Sequence, residues 1–301
     1  MKTQKLVRFD WAIKTILRNK ANFSILEGFL SELLKTDVKI KELLESESNK
    51  ENEEDKSSRF DVFAQLKSGE KVIIEVQCQR EWDFLSRILY GVSKVVVEHL
   101  KKGDLYGAIP RIISVNIVYF DLGHGKDYIY HGTTTFKGIY KHDVLMLGEE
   151  EKEHYPDHID AIENVYPEYY VLKVQQFDLK IRNTLDEWMY ALRESEVKPE
   201  FKAKGIRDAA QKLDILKLSD IERRRYERHI HDARIELSVS QTYYSEGKAE
   251  GLAEGKAEGE ANIIRNLHRL GFSMEQICQA VGLTQEQVEE IINIQPTALN
   301  I

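Results

Sequence analysis

Acidic and amide side chains interrupt an otherwise apolar run at residues 71–79. If this run is a β-strand, Glu75 and Gln77 share one face, because side chains alternate between the two sides of a sheet. The run 59–66 is predicted to be the preceding strand, and it carries Asp61. Two adjacent carboxylates favour a shared cation, and Mg²⁺ suits them because it prefers oxygen ligands and retains water molecules. From spacing alone, a solvated strand face with two incidental acids is the simpler interpretation.

The loop that joins the two predicted strands decides whether the acids meet. Asp61 lies opposite Glu75 only if this loop has an odd number of residues, such as Lys67-Ser68-Gly69. A two-residue turn would instead place Val76 opposite Asp61 and put the carboxylates on different faces. The metal-site interpretation therefore predicts a three-residue loop.

Several strings of residues accompany the pattern of Asp61 followed fourteen residues later by Glu75-Val76-Gln77. They are residues 9–12, 25–34, 87–94, 117–123, 128–133 and 185–188. Together they resemble the PD-(D/E)XK nuclease superfamily, and more closely its transposase branch, which is related to the recombination-promoting nucleases. The resemblance spans residues 8 to about 195, and the combined strings are far more specific than the acid pattern alone.

The resemblance implies an α/β, restriction-endonuclease-like fold with a central mixed sheet flanked by helices. It also implies that Asp61 and Glu75 bind a divalent metal, Mg²⁺ or Mn²⁺, and that Glu27 adds a third acid from the first long helix. Gln77 stands where the superfamily usually has a lysine, and it would orient the attacking water or the scissile phosphate. Phe60 replaces the proline expected before the first acid.

Gln77 cannot supply positive charge to the pentacoordinate phosphorus that forms during cleavage, because its amide is neutral. Arg87 and Lys94 lie seven residues apart on a predicted helix at 81–101 and are candidate phosphate contacts, although both are equally interpretable as ordinary polar-face residues. The predicted function is a Mg²⁺-dependent DNA endonuclease of a mobile-element or recombination-promoting type. The first alternative is a nuclease-fold protein with weakened chemistry that binds nucleic acid or other proteins. The second, less favoured, is a nuclease that cleaves RNA rather than DNA.

The elements around these residues alternate between strands and helices, which is typical of an α/β fold. Apolar residues at three- and four-residue spacing predict a helix over 22–35, and a β-branched run predicts a buried central strand over 112–120. The remaining expectations are a strand beginning within 37–44, a solvated loop at 45–57, a helix stop at Gly103, strands near 133–140 and 169–176, and a helix from Leu185.

The composition changes after residue 245, and three domains are predicted: a nuclease-like domain at 1–235, a Gly/Glu/Ala repeat linker helix at 236–262 and a helix-turn-helix-like module at 263–301. A glycine at every fourth position makes the repeat a marginal helix or a flexible spacer. The reading helix of the module is rich in glutamate, which opposes contact with phosphates. Self-association or protein contact through these C-terminal helices is therefore at least as well supported as DNA reading.

The bulk composition excludes some classes of protein. The chain has 301 residues, of which 42% are hydrophobic, and contains no apolar run of the length needed to cross a membrane. The two cysteines, Cys78 and Cys278, favour a cytoplasmic protein without a disulfide framework. The net charge of −8 argues mildly against a protein dedicated to coating duplex DNA but decides little else about function.

Overall fold

The computed structural model describes residues 4–15, 17, 19–44, 60–98, 105–156 and 159–293. The chain forms two compact units, Met1–Tyr226 and Glu227–Ile301. The predicted loop at 45–57 and the predicted helix stop at Gly103 lie outside the described residues.

The first unit is built on a mixed β-sheet. The described strands are β1 Gln4–Lys5, β2 Ile40–Leu43, β3 Val62–Leu66, β4 Lys71–Gln77, β5 Ile112–Val118, β6 Ile129–Gly132, β7 Glu168–Lys173 and β8 Glu196–Val197. The central sheet has the order β2-β3-β4-β5-β7-β6, and β1 pairs separately with β8. Strands β4, β5 and β7 run parallel, whereas the pairs β2–β3, β3–β4 and β6–β7 are antiparallel.

Both units contain α-helices. The described α-helices are α1 Phe9–Thr15, α2 Phe23–Leu34, α3 Phe84–Glu98, α4 Glu149–Lys152, α5 Ile162–Val165, α6 Thr184–Glu194, α7 Ile206–Lys212, α8 Asp220–Arg269, α9 Met274–Val281 and α10 Gln285–Asn293. Helix α8 begins in the first unit and ends in the second.

The two faces of the sheet are buried by different helices. Val72, Ile74 and Val76 of β4 belong to the main core, together with apolar residues of α1, α2, α6 and α7. Ile73 faces the other way and packs against Val92 and other residues of α3. A mixed sheet with helices on both faces confirms the predicted α/β fold.

The β3–β4 hairpin has the three-residue loop that the sequence predicted. The backbone N–H of Leu66 donates to the carbonyl of Glu70 over 2.9 Å, leaving Lys67, Ser68 and Gly69 between the strands. Gly69 adopts a φ of 112°, which residues with a side chain rarely adopt, so the glycine suits the turn.

The strand predicted near 133–140 is wrong in position. The edge strand β6 ends at Gly132, and beyond it the chain makes only an isolated bridge between Lys137 and Val144 among the described residues. Three consecutive threonines at 133–135 favour a strand by propensity, but they lie beyond the last pairing with β7. The strand predicted at 169–176 ends at Lys173 and continues as a short 3₁₀ turn.

The second unit has a small core of its own. Ile264 of α8, Ile277 of α9 and Val288 of α10 are fully buried against one another. A capping box between Ser273 and Gln276 starts α9. The Gly/Glu/Ala repeat is helical and solvent-exposed within α8. Among the described helices, none combines the length and the hydropathy needed to cross a lipid bilayer.

Candidate functional site

The β3–β4 hairpin brings the two predicted acids together. Val62 is the register partner of Ile74, so Asp61, the residue before β3, lies where the ladder would next reach Glu75. The carboxylate of Asp61 accepts a hydrogen bond from the backbone N–H of Val76 over 2.7 Å. This bond holds the acid against β4 at the position of Glu75.

Glu75 is a mostly buried carboxylate on the face of the sheet that packs against α3. Its side chain is 12% exposed, and its Oε1 atom lies 2.8 Å from Nη2 of Arg87. Burial raises the pKa of Glu75, and the neighbouring carboxylates of Asp61 and Glu81 raise it further, against the opposing effect of Arg87 and Lys14. Arg87 and Lys14 together therefore do not fully compensate the charge of this carboxylate.

Asp61 has a weaker cationic partner. The ammonium group of Lys14, at the end of α1, lies 3.6 Å from Oδ1 of Asp61. The Lys14 side chain is 55% exposed, so water and salt screen this ion pair. Lys14 can move toward another anion at little cost.

Gln77 lies next along the same face, and both ends of its amide are engaged. Its Nε2 atom donates to the carboxylate of Glu81 over 2.7 Å and to the carbonyl of Gln79 over 3.1 Å. Its Oε1 atom accepts from Arg87 over 3.3 Å. Arg87 also pairs with Glu81 over 3.0 Å, so its guanidinium lies between Glu75, Gln77 and Glu81. The positive charge that Gln77 lacks is present beside it.

Glu27 has partners at the start of β2. Its carboxylate accepts from the backbone N–H of Ile40 over 2.9 Å and from the ammonium group of Lys39 over 3.1 Å. These contacts give Glu27 a structural task of tethering β2 to α2. Its role as a third acid stays a prediction.

Lys94 lies on the same helix as Arg87 but two turns further along. Its nearest described anion is Glu98, 3.9 Å away within α3. No contact links it to Asp61, Glu75 or Gln77 among the described residues. Its role in phosphate contact stays a prediction.

Three neighbours of the acids were not singled out from the sequence as site residues: Lys14, Glu81 and Asn116. Asn116 is the register partner of Glu75 on β5 and is 1% exposed. The amide of Asn116 within the β-branched run 112–120 was the signal that could have identified it, because a buried amide needs a specific reason. Lys14 and Glu81 carry no such signal, since exposed charges are common near helix ends.

The donor atoms at this site suit a hard divalent cation. Among the described residues, no group of three His, Cys, Asp or Glu side chains could form a metal centre. Mg²⁺ does not require one, because it is commonly held by one or two carboxylates and several water molecules. Asp61 and Glu75 supply two carboxylates, and the amide oxygen of Asn116 is buried without a hydrogen-bond partner in the described structure. All three are oxygen donors.

Comparison with known proteins bears on this geometry. Neither the curated proteins nor the solved structures contain a significant match to the chain. Residues 7–238 match the family model of the PD-(D/E)XK nuclease family transposase. The match includes the hairpin that carries Asp61 and Glu75, and it extends over more than half of the chain. The chain therefore belongs to the PD-(D/E)XK nuclease family of transposases.

Proposed function

We propose that the protein is a divalent-metal-dependent DNA endonuclease that hydrolyses phosphodiester bonds during mobile-element or recombination events. Membership of the family indicates a nuclease or transposase-related function. The observation that carries the finer proposal is the placement of Asp61 and Glu75 at adjacent positions of one hairpin, with Arg87 beside them.

The charges of the site support a requirement for a cation. Three carboxylates (Asp61, Glu75 and Glu81) face two cationic side chains (Lys14 and Arg87), which leaves one excess negative charge when all five are ionised. This net negative charge would repel a DNA phosphate. A bound divalent ion makes the net charge of the site positive, and Mg²⁺ or Mn²⁺ suits oxygen donors.

Each side chain then has a distinct task. A bound ion supplies Lewis-acid stabilisation of phosphate charge and a more acidic water molecule. Arg87 offers a planar, permanently charged donor group that suits phosphate oxygens, and Lys14 offers a mobile ammonium group at the rim. The amide of Gln77 orients the water or the scissile phosphate. Asp61 and Glu75 hold the ion.

A second candidate function follows from the engagement of Arg87 and Gln77. Arg87 is already paired with Glu75, and Gln77 is neutral and bonded to Glu81. A site with these internal contacts could have lost its chemistry and kept the surface that binds nucleic acid or protein. Under this alternative the chain binds its partner but does not cleave DNA.

The partners proposed for this enzyme are DNA and a second copy of the chain. Helix α10 carries Glu286, Glu289 and Glu290, which oppose phosphate contact and favour a protein partner for the C-terminal helices. We place the activity in the cytoplasm, since the scarcity of cysteine suits a reducing compartment.

A plasmid-nicking assay with Mg²⁺ or Mn²⁺ tests the proposal. The wild type is expected to cleave, and the variant Glu75→Ala is expected not to. Glu70→Ala is the matched control, because Glu70 lies at the other end of the same hairpin and is expected to have no effect on cleavage. Retained cleavage in Glu75→Ala contradicts the proposed site. If the wild type binds DNA but fails to cleave it with either ion, the second candidate function is favoured.

A further inference from the structure

Asn116 is a buried amide whose two ends differ. Its Nδ2 atom donates to the Oγ atom of Ser114 over 3.0 Å, to the carbonyl of Ser114 over 3.3 Å and to the carbonyl of Tyr170 over 3.2 Å. Its Oδ1 atom is buried and has no hydrogen-bond partner among the described residues. A buried polar atom without a partner is costly, so this oxygen needs a physical reason.

The position of Asn116 brings its side chain to the acids. Asn116 and Glu75 are register partners in the parallel β4–β5 ladder, and neighbouring strands lie about 4.8 Å apart. Ile112 and Val118 of β5 pack on the α3 side of the sheet, so Asn116, which alternates with them in phase, faces that side as Glu75 does.

The bonded end of the amide fixes the direction of the free end. Tyr170 belongs to β7, on the far side of β5 from β4, and Ser114 lies toward the start of β5. The Nδ2 atom therefore points toward β7 and the start of β5. Because the oxygen and nitrogen of a planar amide point in different directions, Oδ1 points away from these acceptors. The strand on the other edge of β5 is β4, where Glu75 is the register partner of Asn116.

We propose that Oδ1 of Asn116 is a third oxygen ligand for the divalent cation held by Asp61 and Glu75. The inference rests on the proposed function, because it requires that ion. An amide oxygen is a hard, neutral ligand of the kind that Mg²⁺ and Mn²⁺ accept. It completes a row of three oxygen-bearing side chains on β5, β4 and the residue before β3, without adding further negative charge to the site.

Mn²⁺ binding to the full chain, followed by the electron paramagnetic resonance signal of free Mn²⁺, tests the proposal without reference to cleavage. Asn116→Leu is expected to weaken Mn²⁺ binding by about 10- to 100-fold, the scale on which even outer-shell partners of metal ligands act. Gln176→Leu is the matched control, because Gln176 also has a buried amide oxygen without a described partner but lies outside β3, β4 and β5. It is expected to bind Mn²⁺ as the wild type does.

A second variant separates a ligand from a structural amide. Asn116→Asp keeps an oxygen at this place and adds a charge, so its Mn²⁺ affinity is expected to equal or exceed that of the wild type. Its stability without metal is expected to fall, because the donors to Ser114 and Tyr170 are lost. Circular dichroism checks that each variant is folded, and Asn116→Asp carries the test alone if Asn116→Leu does not fold.

The outcomes distinguish the two proposals. Mn²⁺ binding by the wild type that is equally tight in folded Asn116→Leu, or weaker in folded Asn116→Asp, overturns the role of Asn116 and leaves the proposed function intact. If the wild type itself does not bind Mn²⁺, the metal-dependent function fails, and the inference about Asn116 fails with it.

Discussion

Two glutamates in the same sheet, the buried Glu168 and the mostly buried Glu75, have opposite electrostatic surroundings. Glu168, at the start of β7, receives hydrogen bonds from the hydroxyl of Tyr170 (2.7 Å) and from Arg111 (2.5 Å), and it contacts the ring Nε2 of His131 at 2.7 Å. Burial raises the pKa of Glu168, but these three contacts outweigh it, so the net shift is downward. Glu75 has one such partner, Arg87, and its pKa is raised.

The difference separates a carboxylate whose charge is compensated within the fold from one that, under the proposed function, binds a metal ion. The charged form of Glu168 is compensated within the protein, so it has little to gain from an external cation. The charged form of Glu75 is under-compensated, and the neighbouring Asp61 adds to the deficit. Perturbed carboxylates of this second kind concentrate at functional sites, whereas saturated ones occur throughout protein cores.

The largest expected effect is the loss of cleavage when Glu75 loses its charge. Glu75→Gln is expected to lower Mg²⁺-dependent nicking by at least about 100-fold, because even outer-shell partners of metal ligands are worth 10- to 100-fold. Its thermal unfolding midpoint should stay close to that of the wild type, since the cost of burying the charge of Glu75 offsets what its ion pair with Arg87 contributes. Rates of plasmid nicking measure the loss of cleavage, and a melting curve measures the unfolding midpoint. Cleavage by Glu75→Gln at the wild-type rate would show that the charge of Glu75 is not needed for activity.

The corresponding change at Glu168 is expected to do the reverse. Glu168→Gln removes a buried ion pair with Arg111 and should lower the free energy of unfolding by about 3 kcal/mol. Nicking activity per folded molecule should be unchanged, because no contact joins Glu168 to the acids of the site among the described residues. Chemical denaturation measures the first quantity. A stable but inactive Glu168→Gln would show that this cluster serves catalysis.

Replacing Arg87 is expected to shift metal binding and cleavage in opposite directions. In Arg87→Met the carboxylate of Glu75 loses its cation, so Mn²⁺ affinity should rise by about three- to tenfold, corresponding to roughly 1 kcal/mol for a half-exposed charged hydrogen bond. Cleavage should fall, because the phosphate contact is lost. Lys94→Met, on the same helix, is the matched control for Mn²⁺ affinity and should leave it unchanged, because the one ion pair of Lys94 among the described residues is with Glu98. An Arg87→Met variant with weaker Mn²⁺ binding would contradict the competition between Arg87 and the ion.

The smallest expected effect is a pair of opposite pH dependences, measured without divalent metal. Glu168 has a lowered folded pKa, so its stabilising contribution is present above the unfolded pKa of about 4.3 and is lost as the pH falls through the folded value. Glu75 has a raised folded pKa, so its contribution is present below about pH 4.3 and is lost as the pH rises through the folded value.

Denaturation of the wild type and the two glutamine variants between pH 3 and pH 7 would resolve these contributions. One unit of pKa shift corresponds to about 1.4 kcal/mol. Subtracting the stability of Glu168→Gln from that of the wild type should give a difference that shrinks as the pH falls. The same subtraction for Glu75→Gln should give a difference that grows in the stabilising direction. If the two stability differences change with pH in the same direction, the two glutamates do not differ in the way described.

Local sequence patterns sufficed for much of the hairpin and its surroundings. The loop 67–69 could be predicted because Gly69 favours the backbone conformation of such a turn, and the loop length then determines which side chains lie opposite one another. The helix expected over 22–35 is present as Phe23–Leu34 because its apolar spacing has the period of a helix. The edge strand near 133–140 was misplaced, because threonine-rich sequence favours strands wherever it lies, and only pairing decides where β6 ends.

The partners of the buried acids could not be predicted in this way. Arg111 lies 57 positions before its partner Glu168. Arg87 lies ten positions after its partner Gln77, beyond the turn that leads from strand to helix. Both contacts therefore depend on how whole elements pack. Asn116 is visible in the sequence as an amide in an apolar run. Its unpartnered oxygen appears only when β4 and β5 are placed side by side.

Anomalous diffraction from crystals of the wild type soaked in Mn²⁺ tests most directly whether Asp61 and Glu75 share one metal ion. We expect one strong peak within bonding distance of carboxylate oxygens of both Asp61 and Glu75, because a hard divalent cation binds oxygen ligands directly. A peak bound by only one of these carboxylates, or Mn²⁺-dependent cleavage in a protein whose ion lies elsewhere, would contradict this expectation.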